Sequence, residues 1–386
     1  MPQSHRIENV QSPIIPDVAA LIRATPGTIS LGQGVVHYPP PPQVIEAVST
    51  FDGDVSRHIY HHATGLPALL EQLRAKLAAE NGIDASDQVL MVTAGSNMGF
   101  YHSILAITDP GDEVILLTPY FFNHEMAVAM ANCKAVNVAT DSAYQPRLDR
   151  IEAAISPRTR AVVTVSPNNP SGAVYRLEDL AQINRMCRER GIYHISDEAY
   201  EYFTYGGTEH YSPGSAAEAG GHTISLYSFS KSYGMASWRV GYLVAPGHLL
   251  GPLQKIQDTI LICPPAISQA GAVGALEAGA AYCRERVQGI GTVRRDCLEH
   301  LEALTDIATI APTTGAFYLL LDLETELNSM QVVEHLIRRF EVAAIPGSVF
   351  GLPECHIRIA YGALQPETAS AGMARLVEGL NQIIRG

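Results

Sequence analysis

A chain of 386 residues is long enough for two domains and a large core. With 47% hydrophobic and 17% charged residues it is globular rather than disordered. A formal net charge of −13 argues against nucleic acid or an anionic membrane as the main partner.

Residues 1–30 read as an arm, with a short helix over Val18–Ala24. The segment Ser30–Pro42, SLGQGVVHYPPPP, carries Gly32, Gly34 and four consecutive prolines. It cannot be helix interior or central strand. Its composition suits either a plain linker or an extended stretch crossing from one body to another. Gln43–Ser49 reads as a short helix, and the polar, aromatic Ser56–Gly65 as irregular. Leu66, Leu69, Leu70, Leu73 and Leu77 lie on one helical stripe, so Leu66–Asn81 is predicted as a helix ended by Gly82.

An alternation of strand and helix then begins. Strands are expected at Val89–Thr93, Val114–Leu117, Ala135–Val138, Ala161–Ser166, Ile192–Ile195 and Thr223–Ser228. Helices are expected after AGSNMG, near Glu125–Ala131, at Leu148–Ile155 and at Leu177–Arg190. Near-continuous apolar strands between helices predict an α/β domain with a mostly parallel sheet. Ligands of such sheets bind at the carboxyl ends of the strands. No GxGxxG turn opens the alternation, so a dinucleotide is not expected.

Beyond Pro246 the character changes to a smaller α+β body. Helices are expected at Leu249–Ile262, Ala266–Gly279 and Ala280–Leu304, the last with a bend at Gly289 and Gly291. A strand at Ala316–Asp322, a helix at Gln331–Phe340, strands at Val342–Ile345 and His356–Ala360, and a helix at Pro366–Arg385 complete the chain. The domain division is thus residues 1–45 as arm and part of the small domain, 46–280 as the large domain, and 281–386 as the small one.

The six cysteines are scattered with no CxxC pair, which fits reduced thiols in or near a core. His58, His61 and His62 cluster, but no HExxH or Cys/His quartet occurs, so no metal site is expected. MPQSHRIENV has no apolar core of signal type and no run reaches membrane length. A cytoplasmic protein is the expectation.

The chemistry concentrates in the turns. In Ser225–Pro246, SLYSFSKSYGMASWRVGYLVAP, an apolar strand leads to Ser228, Phe229, Ser230 and a lone Lys231, and Arg239 follows eight residues on. A lysine among small and aromatic residues can lose its proton and act as a nucleophile. Hydroxyls and a guanidinium nearby suit a phosphate. An aldehyde on Lys231 and a phosphate on Ser228 and Arg239 would describe pyridoxal 5′-phosphate. A surface lysine in a strand–turn–strand loop fits the isolated motif as well. Asp197 in SDEAY can be a helix cap, a surface carboxylate or the partner of a protonated pyridine nitrogen. Tyr200 and Phe121 can be core residues or cofactor contacts, and Asn169 in SPNNPSG a turn residue or a donor.

Taken in order, SPNNPSG, SDEAY, SFSK with its later arginine, and IRIAYG make the chain resemble the fold-type I pyridoxal-phosphate enzymes of the class I/II aminotransferase family, over nearly its whole length. The resemblance implies that Lys231 binds the cofactor aldehyde and is the general base. It implies that Asp197 pairs the ring nitrogen, that Tyr200 and Asn169 hold the phenolic oxygen, and that Phe121 stacks on the ring. Gly95, Ser96, Asn97, Ser228 and Arg239 would hold the phosphate, joined by Tyr60 from a neighbouring subunit of a homodimer. Arg358 would bind the substrate carboxylate, assisted by Asn169 and the Gly34 backbone. The implied reaction transfers an amino group from an L-amino acid to a 2-oxo acid. Relatives of this fold also run eliminations, decarboxylations or oxidations from the same core, and some regulators carry such a domain behind a DNA-binding one. Asn97 stands where one dicarboxylate-specific branch has a lysine. With Val35, Val36, His37, Tyr38 and Phe121 as the expected pocket wall, neutral or aromatic donors are predicted over aspartate.

Overall fold

The computed structural model describes residues 4–386; residues 1–3 of the expected arm lie outside the described residues. The large domain is built on a seven-stranded sheet in the order 89–93, 241–245, 223–228, 193–197, 159–165, 113–118, 134–139. All neighbours pair in parallel except Gly241–Ala245, which is antiparallel to the strands on both sides. Gly241–Ala245 and even the edge strand Val89–Thr93 are buried along their whole length, which is why they read as unbroken apolar runs.

The smaller domain is a four-stranded antiparallel sheet in the order 345–346, 356–360, 318–323, 308–310, covered by helices Ser329–Phe340 and Pro366–Arg385. Asn328 caps the first of these: its side chain accepts from the Gln331 N–H, while the Gln331 side chain returns to the Asn328 N–H. Ile29–Ser30 pairs in parallel with Val342–Ala343, so the start of the chain is stitched to this body. One apolar core joins the small sheet and its helices to Phe122, Ala199, Tyr200 and Phe203 of the large domain. Two others pack under and over the large sheet, around Leu69, Leu73 and Tyr227 and around Phe100, Ile104 and Leu226.

Several elements differ from the sequence reading. The single strand expected at Val342–Ile345 is two: Val342–Ala343 pairs with Ile29–Ser30, and Ile345–Pro346 joins the small sheet beside His356–Ala360. The arm helix is longer, Ile14–Ala24, because Ile14 and Val18 turn inward and Pro16 falls in its first turn, where a missing N–H costs nothing. Strand Ala308–Ile310 was not expected, since three residues carry too little periodicity to register. The helical run Ala266–Leu301 breaks at Gly279 (φ 67°, ψ −171°), where the sequence divides it, but the bend expected at Gly289 and Gly291 is absent: both stay helical. A helical glycine costs only about 1 kcal/mol. The buried face of Val287, Ile290, Val293, Cys297 and Leu301 outweighs that cost. No helix among the described residues is long and apolar enough to cross a membrane.

Candidate active site

The sheet delivers its functional residues to one edge. The parallel strands end at Thr93, Thr118, Val165, Asp197 and Ser228, each just before a turn singled out in the sequence. Gly241–Ala245 runs the other way, so its beginning lies at the same edge, with Gly241 opposite both Thr93 and Ser228. That reversal places Arg239 beside the Gly95–Ser96 turn. A cavity of about 440 Å³ opens there, and its wall includes Ser96, Asn97, Phe121, Asn169, Asp197, Tyr200, Ser228, Lys231, Arg239 and Arg358.

Helix Ser96–Ile107 begins at this cavity with no side-chain cap on its first N–H groups. Gly95 takes φ 83°, and a Cβ there would collide with the Arg239 guanidinium. Only glycine lets the turn and the guanidinium approach this closely. Arg239 Nη1 and Nη2 donate to the carbonyls of Ala236 and Ala94 at 2.9 and 3.3 Å. Uncapped amides, a guanidinium and the hydroxyls of Ser96, Ser228 and Ser230 form an anion cradle.

Lys231 reaches into the cavity and donates from Nζ to Gly34 O at 2.5 Å. Burial, with help from Arg358 and Arg239 and against the pull of Asp197, lowers its pKa to about 8. Asp197 is buried on the cavity floor, where Oδ1 accepts the Ala199 N–H at 3.1 Å. Oδ2 lies 3.1 Å from His124 Nε2, though off the hydrogen-bond angle, and His124 Nδ1 has no partner. His124 stacks on Phe100 at 3.8 Å and meets the edge of Phe121 at 5.2 Å. Sequence reasoning missed His124. The helix starts earlier than the sequence reading placed it, at Phe122, and its first turn brings His124 against Phe121.

Arg358 lies in the middle strand of the small sheet, opposite Leu320 and Ile345. It is 3% exposed, yet its partners are neutral: Nη1 donates to Asn169 Oδ1 at 2.8 Å and Nη2 to Gly32 O at 2.7 Å, and Nε has none. Its guanidinium stands 4.6 Å from the Tyr318 ring centroid and 5.2 Å from that of Phe350. A buried cation held by dipoles alone is costly, which leaves it poised for an anion. Asn169 Nδ2 donates to Tyr200 Oη at 3.2 Å, and the Tyr200 and Tyr318 hydroxyls meet at 2.7 Å. Burial raises both phenols, so both remain protonated donors.

Several expectations need correction. The Gly34 backbone lines the cavity; its carbonyl accepts from Lys231, and the Gly32 carbonyl accepts from Arg358. Of the expected pocket wall, Val35 and Phe121 line the cavity, whereas Val36, His37 and Tyr38 do not. His37 is drawn off by Gly362 O, which accepts its backbone N–H at 2.8 Å. The arm helix supplies much of the wall instead, through Ile15, Val18, Ala19 and Ile22. Tyr318 was also missed; it faces Ala360, two residues from Arg358, across the small sheet. Tyr60 lies outside the cavity and is 78% exposed.

The comparisons with known proteins are consistent along the whole chain. The family model for aminotransferase class I and II matches residues 26–376. The aromatic aminotransferase ISS1 of Arabidopsis thaliana is 35% identical over 99% of this chain and 97% of its own length. The aspartate/prephenate aminotransferase of Thermus thermophilus is 34% identical over 81% of each chain. The fold is similar to the solved Thermus thermophilus aspartate aminotransferase with maleate, with a TM-score of 0.90 at 30% identity, covering 98% of this chain and 100% of that one. A TM-score of 0.86 at 29% identity relates it to the aromatic aminotransferase from Pyrococcus horikoshii OT3, covering 95% and 99%. With matches of this reach, the chain belongs to the class I and II aminotransferase family, which is pyridoxal-phosphate-dependent in general.

Proposed function

We propose that this aminotransferase takes the amino group of an L-amino acid with a neutral side chain, apolar or aromatic, and passes it to a 2-oxo acid, using pyridoxal 5′-phosphate held at Lys231. The observation that carries the reading is a lysine amine of depressed pKa sharing one cavity with a buried guanidinium that has only neutral partners. The residues fit the cofactor. Among the described residues three cationic side chains, Lys231, Arg239 and Arg358, line the cavity against one carboxylate, Asp197. That balance calls for anions, and a phosphate with a substrate carboxylate supplies them.

When bound, the cofactor supplies an aldehyde and a ring that takes up the electron pair left at the substrate Cα. The chain's own residues do the rest. Lys231 is the anchoring amine and, when its nitrogen is free, the base that takes the Cα proton. Asp197 would keep a proton on the ring nitrogen. Asn169 and Tyr200 would hold the phenolic oxygen, Phe121 would stack on the ring, and Gly95, Ser96, Asn97, Ser228 and Arg239 would hold the phosphate. Arg358 binds the substrate carboxylate through the fork that Asn169 and Gly32 already orient. The arm helix excludes water on the substrate side with Ile15, Val18 and Ile22. The two-body division at residues 46–280 and 281–386, with residues 1–45 as arm, accounts for a cavity built from both.

The same wall supports the substrate class. A distal carboxylate would face Ile15, Val18, Ile22, Val35 and Ile345, with the neutral Ser30, Gln33, Asn97 and Asn123 as the polar groups of that wall. Burying it unpaired is costly. In kcat/KM, phenylalanine and methionine should exceed aspartate by about tenfold or more, roughly 1.4 kcal/mol of discrimination. A tenfold preference for aspartate would overturn this reading and point to a cation brought by a second chain.

The second chain is part of the proposal. Val55, Ile59 and Tyr60 are 82%, 62% and 78% exposed, and Ile262 and Ile267 are exposed beside them. The two groups adjoin, as the His61 N–H donates to Cys263 Sγ at 3.5 Å. Such a patch is what a second copy would cover, carrying Tyr60 to the partner's phosphate cradle. Sedimentation at micromolar concentration should give a dimer. A fully active monomer would contradict it.

A further inference from the structure

We propose that Tyr38 is a positioning residue that fixes the backbone of Lys231 against the Ser30–Pro42 segment. The inference rests on the reading of Lys231 as the reacting amine. Tyr38 Oη donates to Ser232 O at 3.2 Å and Lys231 O at 3.3 Å. Its ring is buried, wedged against the edge of Tyr282 at 6.2 Å, with the Arg286 guanidinium 5.9 Å from its centroid. Tyr282 in turn donates its hydroxyl to Pro39 O, holding the segment just past Tyr38. Burial raises the Tyr38 phenol well above its ordinary value, so it stays a donor at any working pH. From the other side, Gly234 takes φ 65°, and a Cβ there would come within 2.7 Å of Tyr38 O. The turn that carries Lys231 therefore lies directly on the segment.

The segment holds the lysine at both ends. Gly34 O accepts from Nζ, and Tyr38 grips the main chain below it. The same segment accepts from Arg358 through Gly32 O, and the His37 N–H donates to Gly362 O, four residues beyond Arg358. A lysine amine sits on four rotatable carbons, so its place relative to Arg358 depends on a fixed Cα. Tyr38 ties that Cα to the strip that also orients Arg358.

The test is Tyr38→Phe, which keeps the ring and removes the hydroxyl. The apoprotein Tm should stay within about 3 °C of the parent, since one hydrogen bond is a small part of the stability of a chain this long. Capture of pyridoxal phosphate by the apoprotein, followed by visible absorption, should slow about tenfold, and kcat should fall about tenfold with KM for the donor changed less than twofold. Parental capture and kcat would overturn the proposal. So would a fall in kcat that disappears once a lowered Tm and folded fraction are allowed for. Borohydride reduction and peptide mapping of the parent keep the two readings apart. An adduct off Lys231 defeats the Lys231 assignment, whereas an adduct on Lys231 with parental kinetics in Tyr38→Phe defeats the role of Tyr38 alone.

Discussion

Lys231→Ala is expected to lose the visible absorption of lysine-bound cofactor and to lower turnover by about 10⁴-fold or more, because the proposed anchor and the proposed base are one residue. The structure gives that lysine a lowered pKa from burial first, then from the Arg358 and Arg239 charges. The sign of the pH dependence follows. Below a pKa of about 8 the group is an ammonium with no free electron pair; above it, an amine. Capture of the cofactor by the parent apoprotein should therefore rise with pH through about 8 and then level. A free surface lysine would go on rising toward the ordinary value for lysine, about 10.4. The mutant should show neither the capture nor a borohydride-trappable adduct. Retention of an adduct in Lys231→Ala would take the residue out of its role.

Much of this site was legible because its residues follow the ends of strands. Thr223–Ser228 and Val89–Thr93 have the same bounds in sequence and structure, being apolar runs closed by small polar turns. Helices Leu177–Arg190 and Pro366–Arg385 are likewise as read, since caps and periodicity mark both. What stayed hidden depends on contacts between distant segments. The direction of Gly241–Ala245 has no local signal, yet it decides that Arg239 meets Gly95. The Gly32 and Gly34 carbonyls look alike in sequence, and only the path of the loop assigns one to Arg358 and the other to Lys231. Tyr38 read as pocket lining because it shares a short segment with Val35, which does line the pocket. The segment bends at Val35, His37 and Tyr38, and the Tyr38 hydroxyl ends under the lysine turn. The arm helix read as no more than a short helix over Val18–Ala24, since the partner of Ile15 and Ile22 is a cavity formed by distant segments.

Asp197→Asn should keep the fold and hold the cofactor, but lose about 10³-fold in turnover, the scale of a lost charge in a preorganised site. The Ala199 N–H that Asp197 Oδ1 accepts at 3.1 Å can still be met by an amide oxygen, so the strand end need not move. What goes is the charge. Asp197 is the one carboxylate lining the cavity among the described residues, and a neutral amide cannot keep a proton on a pyridine nitrogen. The ring then accepts the Cα electron pair poorly. A second readout separates this from a packing defect. Asp197 is the group that raises the pKa of Lys231 against the two arginines and burial. Without it the lysine faces Arg239 and Arg358 uncompensated, and its pKa should fall further. The pH at which the mutant apoprotein captures pyridoxal phosphate half-maximally should therefore move below the parent's value of about 8. A mutant with slow turnover and an unmoved profile has lost packing rather than charge. Near-parental turnover would mean that another group, such as His124 at 3.1 Å, serves the ring nitrogen instead.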